Sequence, residues 1–130
     1  MAGPLAKKLL LKEKMRGAVL DAPAGYRRAL DAPAGATVGS NLVAGLDFVQ
    51  VFAEDATSLE RRLPEIASVL GTGSVLWICY RKGGRKAGTD LSRDALWELA
   101  KRHGLIGVTL VALDETWSAM RFRRPEEVGH

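Results

Sequence analysis

The chain alternates short apolar runs with amphipathic stretches. Ser74-Val75-Leu76-Trp77-Ile78-Cys79-Tyr80 is apolar almost throughout, rich in β-branched and aromatic residues, and bounded by turn formers. That pattern predicts a strand buried on both faces, the kind found in parallel sheets. Residues 47–53 read as a second such strand, 16–20 as a weaker one with small side chains, and 37–40 as a marginal one. Residues 5–11 suit a short helix, with Leu5, Leu9 and Leu10 on one side and Lys7, Lys8 and Lys12 outward. Leu59, Leu63, Ile66, Ala67 and Leu70 recur at helical spacing, stopped by Gly71. Thr57 with Glu60 three positions on predicts the opening capping box. Pro64 falls inside this helix and predicts a kink or a split, because proline lacks the N–H and clashes with the preceding turn. A helix opening at Thr89-Asp90 buries Leu91, Ala95, Leu96, Leu99 and Ala100, and ends at Gly104. Residues 106–113 and the alternating 117–123, around a turn at 114–116, predict an antiparallel hairpin. Residues 125–130 read as a loose tail.

Leu-Asp-Ala-Pro-Ala-Gly occurs at 20–25 and again at 30–35. Each copy predicts a turn, since Pro fixes φ, Gly supplies a left-handed position and Asp bonds the backbone ahead. Residues 26–30 then form a short helical turn between them. The order strand, helix, strand, closed by a hairpin, predicts an α/β chain. It is a Rossmann-like three-layer sandwich with a mostly parallel sheet and a C-terminal antiparallel hairpin, in one domain spanning 1–130.

Two resemblances follow from these residues. Asp47-Phe48-Val49-Gln50-Val51-Phe52, the helix leading into Leu70-Gly71-Thr72-Gly73-Ser74-Val75-Leu76-Trp77-Ile78, and the hairpin through Trp117-Ser118-Ala119-Met120-Arg121 resemble the second half of a class I S-adenosylmethionine-dependent methyltransferase. Over nearly its full length the chain is similar to a group of short bacterial proteins described as a domain of unknown function. The matching segments are 5–9, 22–26, 76–78 and 114–119. The methyltransferase resemblance implies an acid and a Gly-x-Gly-like turn after the first strand, and a second acid after strand two. Here the first position reads Asp21-Ala22-Pro23-Ala24-Gly25 and the second Val38-Gly39-Ser40-Asn41. Pro23 removes a donor, Ala24 adds a Cβ, and no carboxylate stands at the second position, so no cofactor is expected to bind.

Composition narrows the classes. The chain has 130 residues, 47% of them hydrophobic, enough for one core. No run approaches the roughly 18 apolar residues of a membrane span. The N-terminus lacks the pattern of a secretory signal, and the single cysteine, Cys79, has no internal disulfide partner. A cytoplasmic setting is therefore expected. Net charge is +4, and residues 47–65 carry five acids against two arginines. This is no dense basic stripe, so nucleic acid ranks last among partners.

The strongest candidate site is the loop Arg81-Lys82-Gly83-Gly84-Arg85-Lys86. Its cations lie where open α/β sheets bind ligands, at the carboxyl end of a buried strand. Arg81, Lys82, Arg85 and Lys86 would hold a small anionic ligand, facing Asp21, Gly25 and Tyr26 across the cleft, with Trp117 at its wall. Asp90 is read as a helix cap rather than an acid–base group. Trp97 is expected to be half-buried, with Arg93 or Lys101 over its indole. No catalytic pair is found. Two histidines and one cysteine give no metal-ligand spacing. Three functions are weighed: first a non-catalytic interaction or regulatory module, second a binder of or enzyme for a small phosphate- or carboxylate-bearing ligand, third nucleic-acid binding. The hairpin's apolar face and open edge suit a homodimer.

Overall fold

The computed structural model describes residues 3–127. Its elements in chain order are α1 (Pro4–Lys8), β1 (Arg16–Leu20), α2 (Tyr26–Leu30), β2 (Thr37–Gly39), β3 (Leu46–Ala53), α3 (Ala56–Val69), β4 (Leu70–Arg81), α4 (Arg93–Arg102), β5 (Ile106–Ala112) and β6 (Trp117–Arg123). The strands form one sheet in the order β2-β1-β3-β4-β6-β5. The pairs among β1 to β4 are parallel, and those of β6 with β4 and β5 are antiparallel. The mixed α/β architecture, with its terminal antiparallel hairpin, is the one the sequence predicts.

β3 and β4 carry the core. Six consecutive β4 residues, from Val75 to Tyr80, are buried. Both faces of such a strand need cover, because each fully buried large side chain contributes roughly 1.5–3 kcal/mol that exposure would forfeit. On one face Leu59, Leu63 and Ile66 of α3 and Leu96, Leu99 and Ala100 of α4 meet Leu76 and Ile78. On the other, Ala6 and Leu9 around α1 and Tyr26 and Leu30 of α2 meet Trp77 and Cys79. The small residues of β1 have their own reason. At Gly17 an added Cβ would stand 3.3 Å from Phe48 of the neighbouring strand.

Several local expectations are corrected. α3 is capped by Asp55, whose carboxylate accepts from the Ser58 N–H at 2.8 Å, not by Thr57. That bond holds the Asp55 carboxyl below its ordinary value. Pro64 does not split α3, which runs unbroken from Ala56 to Val69. Buried Leu59, Leu63 and Ile66 hold the turns before and after it against the sheet. α4 begins at Arg93 with Ser92 as its cap, and Ala95 is exposed. Asp90 does cap a helix, but a different one: its carboxylate accepts from the Ala56 N–H at the start of α3, at 2.9 Å. Of the expected loose tail, Pro125–Glu127 form a 3-10 turn, and 128–130 lie outside the described residues.

The Trp77 indole N–H donates to the Leu9 carbonyl at 2.8 Å, tying the end of α1 to the middle of the sheet. Trp77→Phe should cost about 1–3 kcal/mol, because the buried carbonyl then loses its donor. The urea midpoint of the variant should fall at unchanged m-value; an unmoved midpoint would show that the bond contributes nothing.

Candidate functional site

β1, β3 and β4 run parallel and end at Leu20, Ala53 and Arg81, so the connections after them share one rim. The sheet grows from β1 in both directions, to β2 on one side and β3 on the other. That is a topological switch point, where chains leaving neighbouring strands diverge and a crevice opens. A cleft of about 410 Å³ lies beside it, between the ends of β1 and β2, lined by Asp21, Ala22, Pro23, Tyr26, Arg27, Arg28 and Ser40 among others.

The loop at the tip of β1 is a tight turn. Tyr26 N–H donates to the Pro23 carbonyl at 3.1 Å, and Gly25 sits at φ 81° and ψ −4°. This is a type II turn, whose third residue must take positive φ. The second copy of the repeat builds the same turn. Ala36 N–H donates to the Pro33 carbonyl at 3.1 Å, and Gly35 has φ 76°. Asp21 and Asp31 both take left-handed φ, 58° and 48°. Ten residues on, Ala44-Gly45 makes a third turn with Gly45 at φ 82°. Sequence reading missed this third copy because only Ala-Gly survives of the motif.

Asp21 is already engaged. Arg62, reaching from α3, grips its carboxylate with Nε at 3.2 Å and Nη2 at 3.1 Å. Behind the turn lies a buried polar chain. The Tyr26 hydroxyl donates to Gln50 Oε1 at 2.8 Å, and Gln50 Nε2 lies 3.2 Å from Cys79 Sγ. Gln50 is fully buried in the centre of β3. Its signal was present in the sequence: Gln50 alternates with Phe48 and Phe52, so it had to share their buried face. Burial pushes the Cys79 thiol up to about 12 against an ordinary 9.0, with the Gln50 hydrogen bond opposing. Burial also raises the Tyr26 hydroxyl.

The expected anion site divides. Tyr26, Phe52 and Trp117 form an edge-to-face ladder with centroids 4.7 and 5.0 Å apart. Arg81 lies 4.7 Å over the Trp117 ring and is held by Glu54 at 2.9 Å. Trp117 is therefore buried packing beneath Arg81. Lys82 donates to the Asp114 carbonyl at 2.6 Å. Arg85 and Lys86 stay exposed in a 3-10 turn, Gly84–Ala87. Arg85 lines a smaller cleft of about 240 Å³ with Thr89, Asp90 and Ser92. The two loops thus share a rim without facing each other. β3 stands between them, and the chain leaves β1 towards α2 on one face but leaves β4 towards α4 on the opposite face. What sequence reading missed at the switch point is Arg27, Arg28 and Ser40. Arg27 and Arg28 directly follow the Gly25-Tyr26 turn and have no carboxylate partner among the described residues.

The architecture has close counterparts. A SAM-dependent methyltransferase from Aquifex aeolicus superposes with TM-score 0.68 at 14% identity, over 89% of this chain and 85% of that one. The fold is that of the class I methyltransferases. A TehB-like SAM-dependent methyltransferase from Corynebacterium glutamicum matches the same architecture at TM-score 0.60 and 13% identity, over 91% of this chain and 84% of that one. The mitomycin 7-O-methyltransferase MmcR matches at TM-score 0.65 and 12% identity over 85% of this chain, which spans about half (49%) of the MmcR chain. No family model and no curated protein matches the sequence. Among the described residues no group of three His, Cys, Asp or Glu side chains is placed to hold a metal, and no helix is long and apolar enough to cross a membrane.

The methyltransferase fold implies S-adenosylmethionine, and the residues at the switch point do not fit it. The acid after β1 is neutralised by Arg62, Pro23 offers no N–H, and Gly39-Ser40-Asn41 after β2 offers no carboxylate.

Cys79 makes a prediction about pH. Its folded value lies above its unfolded one, so the folded chain retains a proton that the unfolded chain releases. Stability should be full below pH 9 and fall as pH rises towards 12, with a slope of up to about 1.4 kcal/mol per pH unit from this group. Tyr26 adds to the fall at higher pH. Denaturation midpoints across pH 8–10.5 should show the loss, and Cys79→Ala should flatten its onset. A thiol reagent should modify native Cys79 only as fast as the chain unfolds.

Proposed function

We propose that this chain is a non-catalytic module on a methyltransferase fold, serving interaction or regulation. The observation that carries this reading is the double contact of Arg62 with Asp21. A partly exposed ion pair of this kind adds little stability, about 0–1 kcal/mol. Its consequence is chemical: Arg62 takes one contact on each oxygen of the carboxylate at the tip of β1 and offsets its charge, which weakens it as a partner for a ligand's cation. Titration calorimetry with S-adenosylmethionine should show no saturable binding up to roughly 1 mM, an affinity weaker than about −4 kcal/mol. A dissociation constant in the micromolar range would overturn the reading.

One observation favours a second reading, a small anionic ligand in the same cleft. Arg27 and Arg28 line it and are free to form charge-assisted hydrogen bonds with phosphate or carboxylate. On this reading the cations that matter are not those of the 81–86 loop. In a thermal-shift series with adenosine triphosphate, stabilisation should disappear in Arg27→Ala/Arg28→Ala and persist in Arg85→Ala/Lys86→Ala. Loss in the second variant instead would return the site to the basic loop, and no shift in the parent protein would leave only the module reading.

A further inference from the structure

The sheet has two edges, and they are unlike. β2 is three residues long and ends in Gly39. β5 has seven residues, Ile-Gly-Val-Thr-Leu-Val-Ala, with no charge and no proline. An open strand of that length offers unpaired N–H and C=O groups to any other strand, and chains normally blunt such edges with charges, proline or bulges. β5 has two such guards, an irregularity between Gly107 and Thr109 and Lys8, whose ammonium donates to the Ala112 carbonyl at 2.8 Å; residues 109–112 keep regular register with β6. Beside this edge lie three of the four large exposed apolar side chains of the described residues: Leu110 at 45%, Val108 at 39% and Trp97 of α4 at 38%. They line a shallow groove of about 370 Å³ between α4 and β5. The groove is built to a shape. Trp97 sits against Gly107, where a Cβ would come within 2.6 Å of the indole.

We propose that β5 is the seam of a two-fold homodimer, in which each sheet continues into the other copy. The occupant is a second copy because the edge is self-complementary. An antiparallel pair around a dyad normal to the sheet keeps each residue on its own face. Residues that meet must therefore share a face, and in the regular stretch this sets Leu110 opposite the partner's Leu110 and Thr109 opposite the partner's Val111. The two most exposed apolar positions of β5 then gain apolar cover on the α4 side.

Charge agrees. The chain carries +4, so two copies repel unless the contact is neutral or complementary. α4 carries an acid at its start and a cation at its end along this side of the groove. Arg93 and Asp94 pair at 3.5 Å, and Lys101 lies 5.3 Å over the Trp97 ring. The dyad runs the two α4 helices antiparallel, turning the Asp94 end of one towards the Lys101 end of the other.

Sedimentation equilibrium of the full chain tests this. The parent protein should be dimeric at about 100 µM, and Leu110→Lys should raise the dissociation constant at least about tenfold, by placing like charges together on the dyad. Because Leu110 is exposed, Leu110→Lys should keep the parent's far-UV circular dichroism spectrum and a cooperative unfolding transition, which separates dissociation from misfolding, while its thermal midpoint loses the parent's dependence on protein concentration. Val43→Lys, at the fourth exposed apolar side chain near the opposite edge, should leave the dimer intact. A monomeric parent protein, a dimer that survives Leu110→Lys, or a dimer lost through Val43→Lys would each overturn the proposal. None of these results depends on whether the switch-point cleft binds a ligand.

Discussion

The structure depends on the two-sided burial of β3 and β4. A parallel pair buried on one face alone would leave Trp77, Cys79, Phe48 and Phe52 in water, and these are among the best buried residues of the chain. The helices must therefore divide between the faces, α1 and α2 on one and α3 and α4 on the other. That division sends the chain out of β1 and out of β4 in opposite directions. It opens the switch-point crevice and also separates the two loops that sequence reading had placed face to face. Crevice and separation are one geometric consequence: Arg85 and Lys86 leave with the chain towards α4, while Arg81 stays over Trp117 at the far end of the ladder that begins at Tyr26.

The legible parts of the sequence were those decided by near neighbours. The buried strand at 74–80 announces itself because burial on both faces leaves no polar alternation. β1, α2, β6 and the repeat's turns follow from short-range chemistry in the same way, and β1, α2 and β6 keep the predicted bounds, whereas β4 begins at Leu70, which the sequence reading places in the preceding helix. The parts that were not legible were decided by residues far along the chain. Four cations at 81–86 look like one cluster, yet Glu54 takes Arg81 and the Asp114 carbonyl takes Lys82, from 27 and 32 positions away. Asp90 reads as the cap of the helix beside it, yet it reaches 34 residues back to α3. Asp21 sits where a cofactor-binding acid is expected, and its partner Arg62 is 41 residues away. A charged side chain advertises its chemistry in the sequence but not who will neutralise it.

Gln50 shows the converse. A buried amide costs free energy unless its groups are paired, so its presence on an apolar strand demands partners nearby. Tyr26 and Cys79 are those partners. The chain fixes the Tyr26 hydroxyl from within the core, so that residue holds α2 against the sheet rather than reaching into solvent. Since Tyr26 also meets Phe52 edge-to-face, and Phe52 meets Trp117 in the same way, the one aromatic ring lining the cleft is held by packing behind it.

The turn at 21–25 stands at the tip of β1, beside the switch point. A loop shaped for a ligand should differ from loops that merely connect. Here it does not: Gly25, Gly35 and Gly45 share left-handed φ between 76° and 82°, and the first two turns share the same hydrogen bond and the same left-handed aspartate. The copies at 31–35 and 41–45 lead into β2 and β3. The glycine at 25 is thus explained by the type II turn alone, which needs positive φ at that one position. Protein packing does not require the glycine, since a Cβ there would meet no protein atom within 4 Å. The tip of β1 is thus a type II turn of the same kind as the one at 31–35, and its one charged side chain, Asp21, pairs with Arg62.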